Sequence, residues 1–364
     1  MIRSLAMLAL AALLACPAAA QDVRLRAGGA EARVSAGEGM QPHVFARRLG
    51  DISDMVQGSD GTVYAADQTT GRIFRIADRG RDGRADSQSS LAHRFDMPSG
   101  LAVDGRTLFV ADRSGLWVLE PTGTPRLLAP FARAGATDAP HPILLRPDGQ
   151  VLLALSKPDG TATLLSVDRR TGRATQIDSG PGEIVGFAEI PGLDMPIDPD
   201  TEDLFPRIRT PWMVVRVGDR TQLHRAQSGG MAADGADARG VLSVLMNPEK
   251  GPAMIGTDAG LFWAESSLTG VSIGDGHLLR GVRADHLVVD SQRLLVADRK
   301  SGTVWAVLPE EETPQPPEPE PQADPLDVPP EDLLLRGSGI DSASTLQPGA
   351  TPSDAPRDAQ DDSE

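Results

Sequence analysis

Cysteine is nearly missing from this chain. Cys16 is the only one, which leaves no partner for a disulfide and no thiolate cluster for zinc or iron–sulfur chemistry. Aromatic residues are scarce too, at 4% of positions with a single tyrosine, so a core must come mainly from aliphatic side chains. Lysine occurs only at Lys157, Lys250 and Lys300, and no basic run is present to neutralise a nucleic-acid backbone. Beyond the first twenty residues no apolar run is long enough to span a bilayer as a helix. Phosphate loops and H-E-x-x-H zinc helices are absent. These absences exclude disulfide-stapled scaffolds, thiolate metal modules, nucleic-acid readers and common nucleotide-binding enzymes.

What is present begins with a leader. Arg3 precedes the apolar run Leu5–Leu14, which is too short to cross a membrane stably, and Ala18-Ala19-Ala20 before Gln21 has the small-residue pattern of a cleavage site. Residues 1–20 therefore read as a signal peptide, which implies a periplasmic or secreted protein. A competing reading takes Leu13-Leu14-Ala15-Cys16 as a lipobox, with Cys16 acylated as an anchor.

The net charge of −16 is concentrated at the other end: residues 310–364 carry fifteen acidic and two basic side chains, and the rest is nearly balanced. Nine prolines lie between Pro309 and Pro330. Proline cannot extend a sheet and like charges repel, so 309–364 is expected to be a disordered, partly polyproline spacer. Its one apolar cluster, Leu333–Leu335, is a candidate docking motif for a protein partner.

Between these ends the sequence repeats. Asp-Gly turns at Asp60-Gly61, Asp104-Gly105 and Asp148-Gly149 are spaced by 44 and 44 residues, each followed by an alternating strand. The pattern returns at Ala253 and Arg293. One four-stranded blade occupies about this length, so an all-β, six-bladed β-propeller is expected over 49–308. Blade turns fall near 60, 104, 148, 199, 250 and 290, residues 21–48 form a leading segment, and Thr303–Leu308 closes the ring. Asp67, Asp112, Asp258 and Asp298, each followed by a glycine, suit turns in which a carboxylate accepts free backbone N–H groups. Phe74, Trp117, Trp263 and Trp305 are expected to pack blade against blade.

Three stretches, DGTVYAADQTTGRIFRI, DRGRDGRADS and MPSGLAVDGRTLFVADRSGLWVL, resemble the quinoprotein glucose/sorbosone dehydrogenase propellers, over roughly residues 45–165 and in part 280–308. NHL-like and gluconolactonase-type propellers carry similar strands. The dehydrogenase resemblance implies pyrroloquinoline quinone (PQQ) on the top face, a calcium ion, arginines for the quinone carboxylates, and a histidine base; His141 is the candidate for that base. Two departures stand out. Only five residues separate His141 from Pro147, and GPGEIVGFAEIPG replaces the Gly-Leu-Arg-Asn segment. The gluconolactonase-type Pro-Asn-Gly turn is Pro98-Ser99-Gly100 here. Asp78, Asp82, Gly83 and Asp86 resemble a calcium loop but read better as a surface turn, and no metal site is assigned.

Register between repeats places Asp51, Ser53 and Asp54 near Arg283, Asp285 and His286 once the ring closes, as a candidate polar ligand pocket. The expected function is an exported binding or scaffolding propeller that has lost catalysis; the alternative is a PQQ- and calcium-dependent sugar dehydrogenase.

Overall fold

The computed structural model describes residues 21–309, apart from 28–29, 38, 81, 122–123, 132–140, 147, 188–211, 219, 226–231, 238–240, 248–250, 268–269 and 290–292. The leader, the acidic tail, Cys16, Leu333–Leu335 and the blade turn expected near 199 lie outside the described residues.

Every described regular element is a strand. The first three are β1 (Gln21–Ala27), β2 (Ala30–Ala36) and β3 (Met40–Ala46). β4 (Ile52–Gln57), β5 (Val63–Asp67), β6 (Arg72–Ala77) and β7 (Ser87–Ser90) form an antiparallel sheet in chain order. The pattern recurs in β8 (Gly100–Asp104), β9 (Thr107–Ala111), β10 (Gly115–Leu119) and β11 (Arg126–Pro130), and in β12 (Ile143–Leu145), β13 (Gln150–Ser156), β14 (Thr161–Asp168) and β15 (Ala174–Pro181). A fourth sheet holds β16 (Glu183–Phe187), β17 (Trp212–Val217), β18 (Arg220–Arg225) and β19 (Ala232–Asp237). The fifth comprises β20 (Val241–Asn247), β21 (Gly251–Thr257), β22 (Gly260–Ser267) and β23 (Gly270–Arg280), widened by the β1–β2 hairpin beside β23. The last is β24 (His286–Val289), β25 (Leu294–Asp298), β26 (Thr303–Pro309) and β3.

The first strands of successive sheets, β4, β8, β12, β16, β20 and β24, touch in that order, and β24 returns to β4. This is β-propeller architecture. The segment before residue 49 does more than lead in: β3 pairs antiparallel with β26, with Trp305 opposite Val44, and so supplies the outermost strand of the last sheet. Strands 257 residues apart, from Ala46 to Thr303, joined in one sheet, hold the ring shut.

Neighbouring sheets cover the inner strands, so β13 and β25 are buried almost throughout, while the outer strands β7 and β15 are largely exposed. The clusters lie between sheets. Phe45, Ile52, Ala65 and Phe74 pack with Leu295, Val304 and Ala306 across the seam, and Met254, Leu261 and Leu279 pack with Leu294, Val296 and Trp305. Phe74, Trp117, Trp263 and Trp305 all join such inter-sheet clusters. Burying each large aliphatic side chain contributes about 1.5–3 kcal/mol.

The aspartate turns form as expected in three sheets. Asp67 accepts the N–H groups of Thr69 and Thr70, Asp112 those of Ser114 and Gly115, and Asp298 that of Ser301. In the fifth sheet Asp258 is exposed and Thr257 takes over: its hydroxyl accepts the Ala259 N–H and donates to the Gly260 carbonyl. Thr257 is the last residue of its strand, as Asp67 and Asp298 are of theirs, so register decides which side chain caps the turn.

Candidate functional site

The six inner strands surround a cavity of about 130 Å³. Met55, Leu101, Ile143, Val185, Phe187 and Leu287 line it from five sheets, but most of the surface it exposes is polar. Polar side chains gather chiefly where the last sheet meets the first, with Asp54, Asp285 and His286 among the lining residues.

Asp54 sits at the head of β4. Its Oδ1 accepts the Met55 N–H at 2.8 Å and its Oδ2 the Leu101 N–H at 2.6 Å, tying the first sheet to the second. His286 opens β24, and its Nδ1 stands 3.4 Å from Asp54 Oδ1. Their side chains keep 17% and 21% of their surface accessible, on the cavity side. Burial pushes the Asp54 carboxyl above its usual range, opposed by the neighbouring imidazole. Burial pushes His286 below its ordinary value, partly offset by Asp54 and reinforced by Arg299. Each environment disfavours the charged form of its own group.

A second network adjoins this pair, its Arg299 acting on His286. Arg299 binds Asp51 through two contacts, Nε to Oδ1 at 2.5 Å and Nη2 to Oδ2 at 3.0 Å, and also reaches Gln68 Oε1 at 2.6 Å. The Arg299 hydrogen bond holds the Asp51 carboxyl below the usual range, against a smaller opposing effect of burial. Arg283 Nε donates to Asp285 Oδ1 at 2.7 Å, and Asp285 Oδ2 accepts the Arg299 N–H at 2.9 Å. Both arginines are thus engaged by carboxylates. Ser53, also expected here, is turned into the packing: it is buried and donates to the Pro98 carbonyl at 2.5 Å.

His141 is placed differently. It is 1% exposed, its ring meets Phe131 edge-on at 5.3 Å, and it is not among the residues lining the cavity. Its N–H donates to Ser99 Oγ, and the absence of a side chain at Gly100 lets the His141 carbonyl approach closely. It is a seam residue between the second and third sheets. The calcium-like loop is occupied from within, because the Asp78 carboxylate pairs with the fully buried guanidinium of Arg293, which also stacks on Phe45 at 4.9 Å. Asp82 and Asp86 accept loop N–H groups. Gly270–Gly274 has the G-x-S-x-G spacing of a hydrolase elbow, but it lies inside β23 rather than at a strand-to-helix turn.

Sequence reading missed Arg299, Gln68 and Arg293. A signal for the first two exists: each directly follows a turn aspartate, in the runs Ala66-Asp67-Gln68 and Ala297-Asp298-Arg299. Arg293 carries no comparable mark.

The implied cofactors can be tested against these residues. A tricarboxylate quinone needs free cations, whereas Arg283 and Arg299 are engaged by carboxylates and, among the described residues, no arginine or lysine lines the cavity. The cavity is also smaller than the roughly 300–1,000 Å³ of ordinary cofactor sites. Among the described residues no group of three His, Cys, Asp or Glu could hold a metal ion. The described residues fit neither PQQ nor calcium. Nor is any helix among them long and apolar enough to cross a membrane.

No family model matches the chain, and no curated protein matches it. Solved structures do. A carbohydrate-active enzyme of family AA12 from Trichoderma reesei aligns with a TM-score of 0.57 at 14% identity, over 81% of this chain and 98% of that one. The PQQ domain of pyranose dehydrogenase from Coprinopsis cinerea aligns at 0.55 and 10% identity, over 76% and 97%. A gluconolactonase from Xanthomonas campestris aligns at 0.50 and 14%, over 80% and 96%. Likeness at this level concerns the β-propeller fold alone.

Proposed function

We propose that this chain is an exported six-bladed β-propeller that works as a binding module, taking a small ligand at the seam end of its central channel without oxidising it. The six-blade reading is supported by the sheets formed by the described strands and by the cyclic contact of their inner strands. One observation carries the binding reading: Arg283 and Arg299 are spent on Asp285 and Asp51, and among the described residues no arginine or lysine lines the cavity to meet a quinone's carboxylates. The leader before Gln21 supplies export, and the acidic, proline-rich tail supplies reach toward a protein partner, with Leu333–Leu335 as its docking element.

The sugar-dehydrogenase reading draws on the pyranose dehydrogenase likeness and on the Asp54–His286 pair, a carboxylate and imidazole that could accept a hydroxyl proton. Calorimetry of the whole mature protein with PQQ and calcium, followed by dye reduction with glucose, separates the two. The binding module gives no submicromolar quinone affinity and no turnover. Tight quinone binding with calcium-dependent turnover abolished in His286→Gln would overturn it, and loss of turnover in His141→Ala instead would restore His141 as the base.

A further inference from the structure

The outermost strand of each sheet pairs on one side only among the described strands, and such an edge can add a strand from another chain. All but one of these edges carry something that hinders this. β3 contains Pro42, β11 and β15 end in Pro130 and Pro181 and are bulged against their neighbours, and β7 is only four residues long. β19 carries two acids, no base and a bulge. β1 has none of these features. Its seven residues, QDVRLRA, include neither proline nor glycine and pair with β2 in unbroken register from Gln21 opposite Ala36 to Ala27 opposite Ala30. Alternate residues of such a strand turn their N–H and C=O groups away from the one partner they have.

The charges along β1 also complement themselves. Laid antiparallel on a second β1 with Arg24 at the centre, the strand overlaps along its whole length, with Asp22 opposite Arg26 twice and Val23 opposite Leu25 twice. The one like-charge pair, Arg24 with its counterpart, lies diagonal to both Asp22 positions. We propose that β1 is a docking edge for a second copy of this chain, the two β1 strands pairing antiparallel about Arg24 and joining two propellers through one continuous sheet. Pairing of this kind uses the same patch on both copies, so it closes at a dimer. A contact of one short strand on each side is small, which makes the dimer weak and concentration-dependent. The inference is independent of what the channel binds.

Sedimentation equilibrium of the mature protein over a concentration series is expected to show reversible monomer–dimer exchange, with amide exchange in residues 21–27 slowing as the dimer forms. Asp22→Arg sets arginine opposite arginine, and Arg26→Asp sets acid opposite acid, so each variant alone is expected to associate about tenfold more weakly or worse. Mixed in equal amounts, the two variants regain both opposite-charge pairs and are expected to form a heterodimer within about threefold of the parent affinity. A monomer at every concentration overturns the inference. So does a dimer that neither variant weakens, since it must use another surface, and so does a mixture that fails to recover. Amide exchange on the unaltered protein decides the matter even if a variant misfolds, because a dimer that leaves residues 21–27 unprotected also overturns the inference.

Discussion

His286 is held by opposing influences: burial and Arg299 favour its neutral form, and Asp54 favours the charged one. An NMR titration of its ring protons is expected to give a midpoint below that of a free histidine, near 6.5. Asp54→Asn removes the only influence that favours the cation, so the midpoint should fall further; a rise would show that the pair is not coupled as described. The linkage follows from the direction of the shift. Because the folded value is lowered, the stability contributed by neutral His286 is present above the ordinary value and is lost as pH falls through the lowered one. Arg293 and Asp78 make a second residue-scale case, since both side chains are essentially fully buried. Arg293→Met alone strands a buried carboxylate and should cost about 3–5 kcal/mol in urea unfolding, whereas the Arg293→Met, Asp78→Leu double variant should recover much of that. A double variant no better than the single one would argue against the pair.

At the scale of elements, the decisive feature is the partnership of β3 with β26, strands more than 250 residues apart in the chain. Deleting residues 21–47 removes β3 together with the β1–β2 hairpin and uncovers β26 along its whole length. The melting temperature is expected to drop by well over 10 °C or the protein to aggregate through the open edge, as light scattering would reveal. A truncated protein melting within about 3 °C of the parent would mean that closure adds little. Repeat spacing made β5, β9, β13 and β25 legible, because each follows a turn signal and alternates in the strand period. It could not assign β3, whose sequence MQPHVFA has no turn motif in register with the repeats and whose partner lies at the far end of the chain. The same blindness applies to Thr257, since two adjacent polar residues can both cap a turn and only pairing decides which one ends the strand.

For the molecule as a whole, charge is spread unevenly along the chain. Residues before 310 are nearly balanced in charge and carry the sheets, while the tail carries most of the excess negative charge. Ending the chain after Pro309 is therefore expected to leave the melting temperature within a few degrees, because so little apolar surface is removed. The pI should rise markedly from its value of about 4.8. A large loss of stability on this truncation, measured by calorimetry, would show that the tail is part of the fold.

Local sequence alone determined the strand period, the turn chemistry, the repeat length and the segregation of acidic charge, because each depends on residues within a few positions of one another. It also brought Asp51 and Asp54 toward Arg283, Asp285 and His286, since repeats in register put like positions at like places around a ring. Tertiary structure decided the rest. His141 and His286 both stand at the head of an inner strand, yet one is turned into the seam against Phe131 and the other faces the cavity. Arg299 and Arg293 find their acids 248 and 215 residues away. Side-chain direction and long-range charge pairing depend on how neighbouring sheets pack, and no spacing along the chain encodes that.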